Sequence, residues 1–145
     1  MKVQETLQLL EGSKSRELMT KLYGESHVGE NTARYQELVK GYQQLFGDQD
    51  ILLFTSPGRT EISGNHTDHN HGKVLAGSIN LDCVGVAAKN DSQTIRIVSE
   101  TYHQDFTIDL QDLTPSAKMA GTVDLTKGLL KGFLEAGYKV GGFNA

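Results

Sequence analysis

Apolar residues recur at helical spacing in the first third of the chain. Residues 5–23 are predicted to form a helix in two pieces, broken near Gly12-Ser13. A further helix is predicted to begin at Asn31, whose side chain can cap its N-terminus, and to stop at Gly47. The apolar positions of this helix follow the i, i+3, i+4, i+7 stripe of an amphipathic helix: Tyr35, Leu38, Val39, Tyr42, Leu45 and Phe46.

The middle of the chain changes to the shorter patterns that are typical of strands. A polar turn is predicted at residues 89–93, between two of these runs. The predicted strands are 51–54, 81–88, 94–99 and a run in which Phe106, Ile108 and Leu110 alternate with polar residues.

A last helix is predicted over residues 125–136, with Asp124 as its N-cap and Gly137 as its end. Its predicted buried side consists of Leu129, Leu130, Phe133 and Leu134. The pair Gly141-Gly142 then predicts a turn, and residues 143–145 begin a strand, so we expect the chain to be a truncated form. Helices, a strand meander and a further helix together indicate an α+β domain with a mostly antiparallel sheet.

Length and composition fit one domain, or part of a larger one, in a protein of 145 residues with 37% hydrophobic and 22% charged residues. A net charge of −4 gives no basic patch and argues against nucleic-acid binding. Apolar runs stay well short of the roughly 20 residues of a membrane span. The polar N-terminus lacks a signal-peptide core, and we expect a cytoplasmic protein. Cys83 has no partner for a disulfide and is predicted to be a core residue.

The densest set of polar and glycine residues lies at 56–75, directly after the first predicted strand. There the pair Pro57-Gly58 predicts a turn that aims Arg59 away from that strand. A guanidinium held in this way could stabilise the charge on a transferred phosphoryl group. Pairing with a local carboxylate, for which Glu61 is the candidate, is an equally good interpretation.

The histidines of this segment, His66, His69 and His71, lie close to Asp68. Their spacing does not match the helical His-Glu-x-x-His pattern, which disfavours a metal site. A solvated loop with incidental histidines is a better interpretation, and recognition of hydroxyl groups is better still. Asp68 can accept hydrogen bonds from vicinal hydroxyls, while Asn65 and neutral His66 can both donate and accept. A sugar requires that mixture.

Taken together, Pro57-Gly58-Arg59, His66-Thr67-Asp68 and Gly72-x-Val74-Leu75 resemble the galactokinase signature. This signature belongs to the superfamily of galactokinase, homoserine kinase, mevalonate kinase and phosphomevalonate kinase. The resemblance covers nearly the whole chain, as the N-terminal third or so of a galactokinase. It implies a domain like the second domain of ribosomal protein S5, with a helical segment at 1–48, part of that domain at 49–145, and the C-terminal domain absent.

The resemblance also implies an activity, because galactokinases use ATP and Mg²⁺ to phosphorylate the C1 hydroxyl of galactose. By position, Arg59 resembles the arginine beside the anomeric hydroxyl, and it is the implied catalytic residue. His66 and Asp68 resemble sugar-binding residues. Asn65 is the implied substrate-binding residue where the family usually has a Glu that binds the primary hydroxyl.

Departures from the family pattern leave two alternatives open: a related kinase for another sugar, or a galactokinase-like sugar sensor without catalysis. They are Glu61 for the usual Asn, Ser63 for an aliphatic residue, His69 for Tyr and Ala76 for Pro.

The 145 residues contain no glycine- and serine-rich phosphate loop, and the proposed catalytic Asp of the family also lies further along the chain. We therefore expect these residues alone to bind ATP weakly and to be inactive, whereas the full-length protein would phosphorylate a hexose. An open sheet edge and apolar surface would favour self-association.

Overall fold

A computed structural model describes residues 1–64, 67, 70–116 and 121–145. Its elements are α1 (Val3–Leu10), α2 (Ser13–Tyr23), a short 3₁₀ turn (Glu25–His27), α3 (Val28–Phe46), β1 (Leu52–Ser63), β2 (Leu75–Lys89), β3 (Thr94–Ser99), β4 (Gln104–Asp109), α4 (Thr122–Glu135) and β5 (Phe143–Asn144). The predicted α+β class with a mostly antiparallel sheet is confirmed. Within the described ranges, no helix combines the length and apolarity needed to cross a membrane.

The first three helices pack on one face of the β1–β2 hairpin and form with it the larger of the two cores found among the described residues. The break between α1 and α2 falls at Gly12, as predicted. Helix α3 ends at Gly47, whose positive φ of 79° suits glycine, and this prediction is also confirmed. The fully or nearly buried members of this core are Val3, Leu10, Met19, Val28, Tyr35, Val39, Tyr42, Ile51, Val86 and Ala88.

The predicted N-caps of α3 and α4 are both wrong, because each helix begins before its candidate cap. Asn31 lies inside α3 and donates its side-chain amide to the carbonyl of His27 at 3.0 Å. The 3₁₀ turn runs directly into α3, so Asn31 is left in the first turn of the helix. Asp124 lies in the first turn of α4, where its carboxylate accepts hydrogen bonds from the backbone N–H and hydroxyl of Ser116.

Strand β1 is much longer than predicted and continues through Pro57-Gly58, so the predicted turn is wrong. β1 and β2 pair antiparallel, and their register shifts between Pro57 and Arg59. Proline has no N–H to donate, which confines it in sheets to edges and irregular positions. β1 is the edge strand of this sheet, and Pro57 lies at its irregularity.

The five-stranded sheet has the order β1-β2-β5-β3-β4, which corrects the predicted meander. β2 and β3 follow each other in sequence but are separated by β5, which pairs antiparallel with β2 and parallel with β3. The strand predicted after Gly141-Gly142 is thereby confirmed, although it holds only two residues. Ile95 and Ile108 of β3 and β4 form a second, smaller core with Leu130 of α4.

Two predictions of burial are wrong. On α4 only Leu130 is buried, while Leu129, Phe133 and Leu134 are 59%, 54% and 44% exposed. Cys83 is exposed as well. In β2 it alternates with Val84 and Val86, which face the helices, so its side chain lies on the opposite face of the strand.

Candidate functional site

Arg59 lies in the second half of β1, just beyond the register shift, opposite Ser78 of β2. Its side chain is 72% exposed and pairs with Glu61, two residues further along the same strand. The guanidinium donates to one carboxylate oxygen of Glu61 from Nε at 3.1 Å and from a terminal nitrogen at 2.8 Å. The pairing that the sequence left open is therefore present, and it involves an arginine that solvent and ligands can reach.

The loop after β1 is tightly folded at the residues that are described. Thr67 donates its hydroxyl to the carbonyl of Gly64 at 2.7 Å, and its own carbonyl accepts from the backbone N–H groups of Asn70 and Gly72. A Cβ added to Gly64 would lie 2.1 Å from the carbonyl oxygen of Lys73, and one added to Gly72 would lie 2.3 Å from the Cβ of Thr67. Both positions therefore require glycine, and the loop returns to β2 over a short path.

The predicted sugar-binding residues Asn65, His66 and Asp68 lie outside the described residues, as does His69. Their roles stay predictions. His71 is described and exposed, with a positive φ of 55°. Among the residues that the structure describes, no three His, Cys, Asp or Glu side chains are arranged to hold a metal ion.

The structure also shows a polar cluster that was not predicted from the sequence, centred on the buried carboxylate of Asp82 in β2. The Asp82 side chain is only 4% exposed. One of its oxygens accepts from Arg34 of α3 at 2.6 Å, and the other accepts from Tyr23 of α2 and from the hydroxyl of Thr55 in β1. Arg34 also donates to the backbone carbonyl of Asp82 at 2.9 Å, and Tyr35 lies 3.0 Å from the Tyr23 hydroxyl.

These contacts fix the charge states of the Asp82 cluster. Burial alone would raise the pKa of Asp82, but hydrogen bonds from Thr55, Tyr23 and Arg34 outweigh it and hold the pKa below its usual value. Burial, followed by the hydrogen bond to Asp82, raises the pKa of Tyr23 far above that of an ordinary tyrosine. The hydrogen bond to Asp82 raises the pKa of Arg34 as well. The cluster therefore holds a paired carboxylate, a guanidinium and a neutral phenol.

A signal for the Asp82 cluster was present in the sequence. Asp82 is the one charged residue in the otherwise apolar run that was predicted as the strand 81–88. A charge in such a run needs a partner, because an unpaired buried carboxylate is strongly unfavourable. Its partners come from α2, α3 and β1, which are far away in sequence, so their identity could not be inferred from the run itself.

This chain is similar to galactokinases in sequence and in structure. Residues 40–89 match the family model described as the galactokinase galactose-binding signature. A galactokinase of Clostridium tetani is 30% identical over 114 residues, and one of Enterococcus faecalis is 33% identical over 105 residues. The crystal structure of Lactococcus lactis galactokinase complexed with galactose matches with a TM-score of 0.67 and 28% identity.

These matches cover most of this chain but a small part of each relative. The shares of this chain are 79%, 71% and 76% for the Clostridium, Enterococcus and Lactococcus proteins, and the shares of those proteins are 29%, 27% and 29%. The chain thus spans less than a third of the length of the relatives that it matches. The matched signature includes β1, the loop after it, and all of β2.

Proposed function

Because the chain is a homologue of the galactokinases over about three quarters of its length, we propose that it is the galactose-binding part of a sugar 1-kinase. The complete protein would transfer the γ-phosphoryl group of ATP to the C1 hydroxyl of galactose and give galactose 1-phosphate. The observation that carries this proposal is the match of residues 40–89 to the galactose-binding signature, which includes Arg59 and the glycine-bounded loop.

In this proposal, Arg59 is the catalytic residue of the chain. An exposed guanidinium in the second half of a paired strand can face the C1 oxygen of a bound sugar and stabilise the charge on the phosphoryl group as it is transferred. Both partners of the pair with Glu61 lie in one strand; the Glu61 side chain is 23% exposed, but the guanidinium is 72% exposed, so solvent screens the pair and it contributes little. A phosphate-bearing ligand can therefore displace the Glu61 carboxylate.

The sugar itself would be held by Asn65, His66 and Asp68, which lie in the sequence between Gly64 and Asn70. Asp68 supplies an acceptor for two hydroxyls, and His66 and Asn65 supply a donor and an acceptor each. Asn65 is uncharged where the family usually has Glu. We propose that Asn65 changes which substituent the site prefers at the carbon that bears the primary hydroxyl of galactose. Other sugars should therefore be tested.

ATP and Mg²⁺ do not fit the residues of this chain alone. The sequence has no glycine- and serine-rich phosphate loop, and the described residues hold no group of acidic side chains suited to a metal ion. We therefore propose that the 145 residues bind sugar without transferring phosphate. Phosphoryl transfer depends on positioning and on charge stabilisation around the triphosphate, which these residues do not provide.

The test is a titration of the 145-residue chain with D-galactose, in which ligand-observed NMR measures the affinity. Asp68→Asn should weaken binding about tenfold or more, because a hydrogen bond to a charged acceptor is lost. Asp91→Asn, an exposed residue of the β2–β3 connection, is the matched control and should leave binding unchanged. Absence of galactose binding by the unmodified chain, or equal effects of the two substitutions, would refute the proposed site.

Two further measurements complete the test. A coupled ADP-release assay should show turnover by a full-length protein and none by the 145-residue chain; substantial turnover by the short chain would contradict its predicted inactivity. A panel of galactose, N-acetylgalactosamine, galacturonic acid and a pentose separates galactokinase from the related kinase for another sugar. Sugar binding by a full-length protein without any ADP release would instead favour the sensor.

A further inference from the structure

We propose that Asp82 is a positioning residue for Arg59, because the carboxylate held by Thr55, Tyr23 and Arg34 anchors the strand irregularity from which Arg59 projects. This inference rests on the proposed function, since it assigns Asp82 a part in placing the catalytic guanidinium. Asp82 itself is buried under the helices and would act through Arg59.

The register of the β1–β2 hairpin shifts immediately before Arg59. Pro57 pairs with Asp82, whereas Arg59 pairs with Ser78. Between these pairs β1 advances by two residues and β2 by four, so β2 carries two extra residues at this point. Bulges of this kind bend a strand and redirect the side chains beyond them. The direction of Arg59 thus depends on how the irregularity is held.

Asp82 lies at one end of this irregularity and is held from three directions. Thr55, Tyr23 and Arg34 belong to β1, α2 and α3, and each donates to the Asp82 carboxylate. Arg34 also binds the backbone carbonyl of Asp82. Both the side chain and the backbone of Asp82 are therefore tied to the helical layer at the last regular pair before the shift.

The two strands are in close contact within the irregularity. A Cβ added to Gly58 would lie 3.1 Å from the carbonyl oxygen of Leu81 and 3.3 Å from the side chain of Ile79. Gly58 immediately precedes Arg59, and Leu81 immediately precedes Asp82. A displacement of Asp82 is therefore passed through tightly packed backbone to the residue next to Arg59.

The alternative is that Asp82 has a structural role only (a clamp) and holds the helices against the sheet. Both roles predict that Asp82→Asn lowers stability, because removing one partner of a buried pair is costly. The two roles differ in how the loss of binding affinity depends on the ligand. A positioning role affects binding of a ligand that Arg59 contacts, whereas a clamp affects all ligands of the loop equally.

The experiment compares D-galactose with galactose 1-phosphate as ligands of the 145-residue chain. Arg59→Ala should weaken binding of galactose 1-phosphate about tenfold, through loss of a charge-assisted contact, and binding of galactose much less. Asp82→Asn should likewise weaken binding of galactose 1-phosphate, by about fivefold, and binding of galactose much less. In the Arg59→Ala background, Asp82→Asn should then cause no further selective loss, because coupled residues are non-additive.

Two further variants separate a positioning role from a general loss of stability. Thr55→Val removes one of the donors to Asp82 and keeps a β-branched residue in the strand, so it should give a weaker form of the same selective loss even where Asp82→Asn fails to fold. Tyr42→Phe removes a half-buried hydrogen bond to Gln49 in the same core and serves as the control for lowered stability. It should not discriminate between the two ligands.

The outcomes separate the two proposals. If Arg59→Ala leaves the affinity for galactose 1-phosphate unchanged, or neither ligand binds, the proposed role of Arg59 fails and the positioning role fails with it. If Arg59→Ala acts as expected but the Asp82 and Thr55 variants weaken both ligands equally, or their effects persist in the Arg59→Ala background, only the positioning role is overturned.

Discussion

At the scale of single residues, Glu61 competes with any anion for Arg59. The pair is held at 2.8 Å, and the arginine side chain is largely exposed. We predict that Glu61→Gln raises the affinity of the chain for galactose 1-phosphate by about two- to fivefold, in line with the small energies of surface ion pairs. The measurement is an NMR titration at low and high salt, and the gain should shrink as salt screens the charges.

The matched control for this change is Asp105→Asn, which removes the carboxylate from another exposed arginine pair, with Arg96 on β3. It makes the same change in net charge at a different place on the sheet. Equal gains from the two substitutions would show that net charge, and not release of Arg59, raises the affinity.

Asp82 gives a second prediction at this scale, on the dependence of stability on pH. The fold lowers the pKa of Asp82, so the charged carboxylate stabilises the fold above the unfolded-state value, near 4. This contribution is lost as the pH falls through the lower folded-state value. We expect the difference in free energy of unfolding between wild type and Asp82→Asn to be largest at neutral pH and to shrink below pH 4.

Urea unfolding at a series of pH values between about 7 and 2.5 measures that difference. Other carboxyls whose pKa values are lowered, such as those of Glu25 and Asp112, remain in both proteins and cancel in the comparison. A difference that stays constant across this range would contradict a charged Asp82 in the fold.

These two carboxylates also show how far single residues could be predicted from the sequence. Glu61 is two positions from Arg59, so a local pairing could be proposed from spacing alone, and the structure contains it. The partners of Asp82 come from three separate elements, and only the packing of α2 and α3 on the hairpin brings them together. Sequence patterns that extend over a few residues do not contain that information.

At the scale of elements, the loop between β1 and β2 depends on its two tightly packed glycines. We predict that Gly64→Ala and Gly72→Ala each weaken galactose binding at least tenfold, because the added Cβ collides with the backbone or with Thr67. Gly64 also has a φ of +85°, which an alanine adopts only with strain. Ligand-observed NMR gives the affinities, and thermal unfolding shows whether the rest of the fold persists.

Gly77→Ala is the matched control for the loop, since Gly77 lies in β2 opposite Thr60 and has no atom within 4 Å of an added Cβ. It should retain galactose binding. Normal binding by both loop variants would show that the compact loop is not needed to hold the sugar.

Element positions were predictable where the signal was local. The helix break at Gly12, the end of α3 at Gly47 and strand β3 were found because each depends on the residues at that place. The pair Pro57-Gly58 reads as a turn in isolation, but pairing with β2 and a bulge keep it in the strand. The order of the sheet was missed for a similar reason, since the insertion of β5 between β2 and β3 is a contact between distant segments.

At the scale of the whole molecule, apolar side chains remain exposed on the face of the sheet opposite the helices. Leu52 and Phe54 of β1 are 61% and 53% exposed, and Leu81 of β2 is 72% exposed. These exposed side chains are the surface through which we expect the self-association predicted from the sequence. Light scattering across a range of concentrations checks it, and a clean monomer at high concentration would contradict it.

The two cores of the molecule are joined through β5, which links β2 to β3. The loop before β5 is closely packed at Gly142: an added Cβ would lie 2.2 Å from both the side-chain oxygen of Asn90 and the carbonyl of Ser92. At Gly141 no atom lies within 4 Å of an added Cβ. Substitution of Gly142 should therefore disturb the connection between the cores, and substitution of Gly141 is the matched control.

We predict that Gly142→Ala uncouples the two cores, so that they no longer unfold together, whereas Gly141→Ala keeps a single cooperative transition. The collision displaces β5, and the hydrogen bonds that it shares with β2 and β3 are lost. Amide hydrogen exchange of Val39 and Ile95, fully buried residues of the larger and smaller cores, reports the two parts separately. Ile95 should exchange faster than Val39 in Gly142→Ala, and equal protection of both amides would show that the cores are coupled by other contacts.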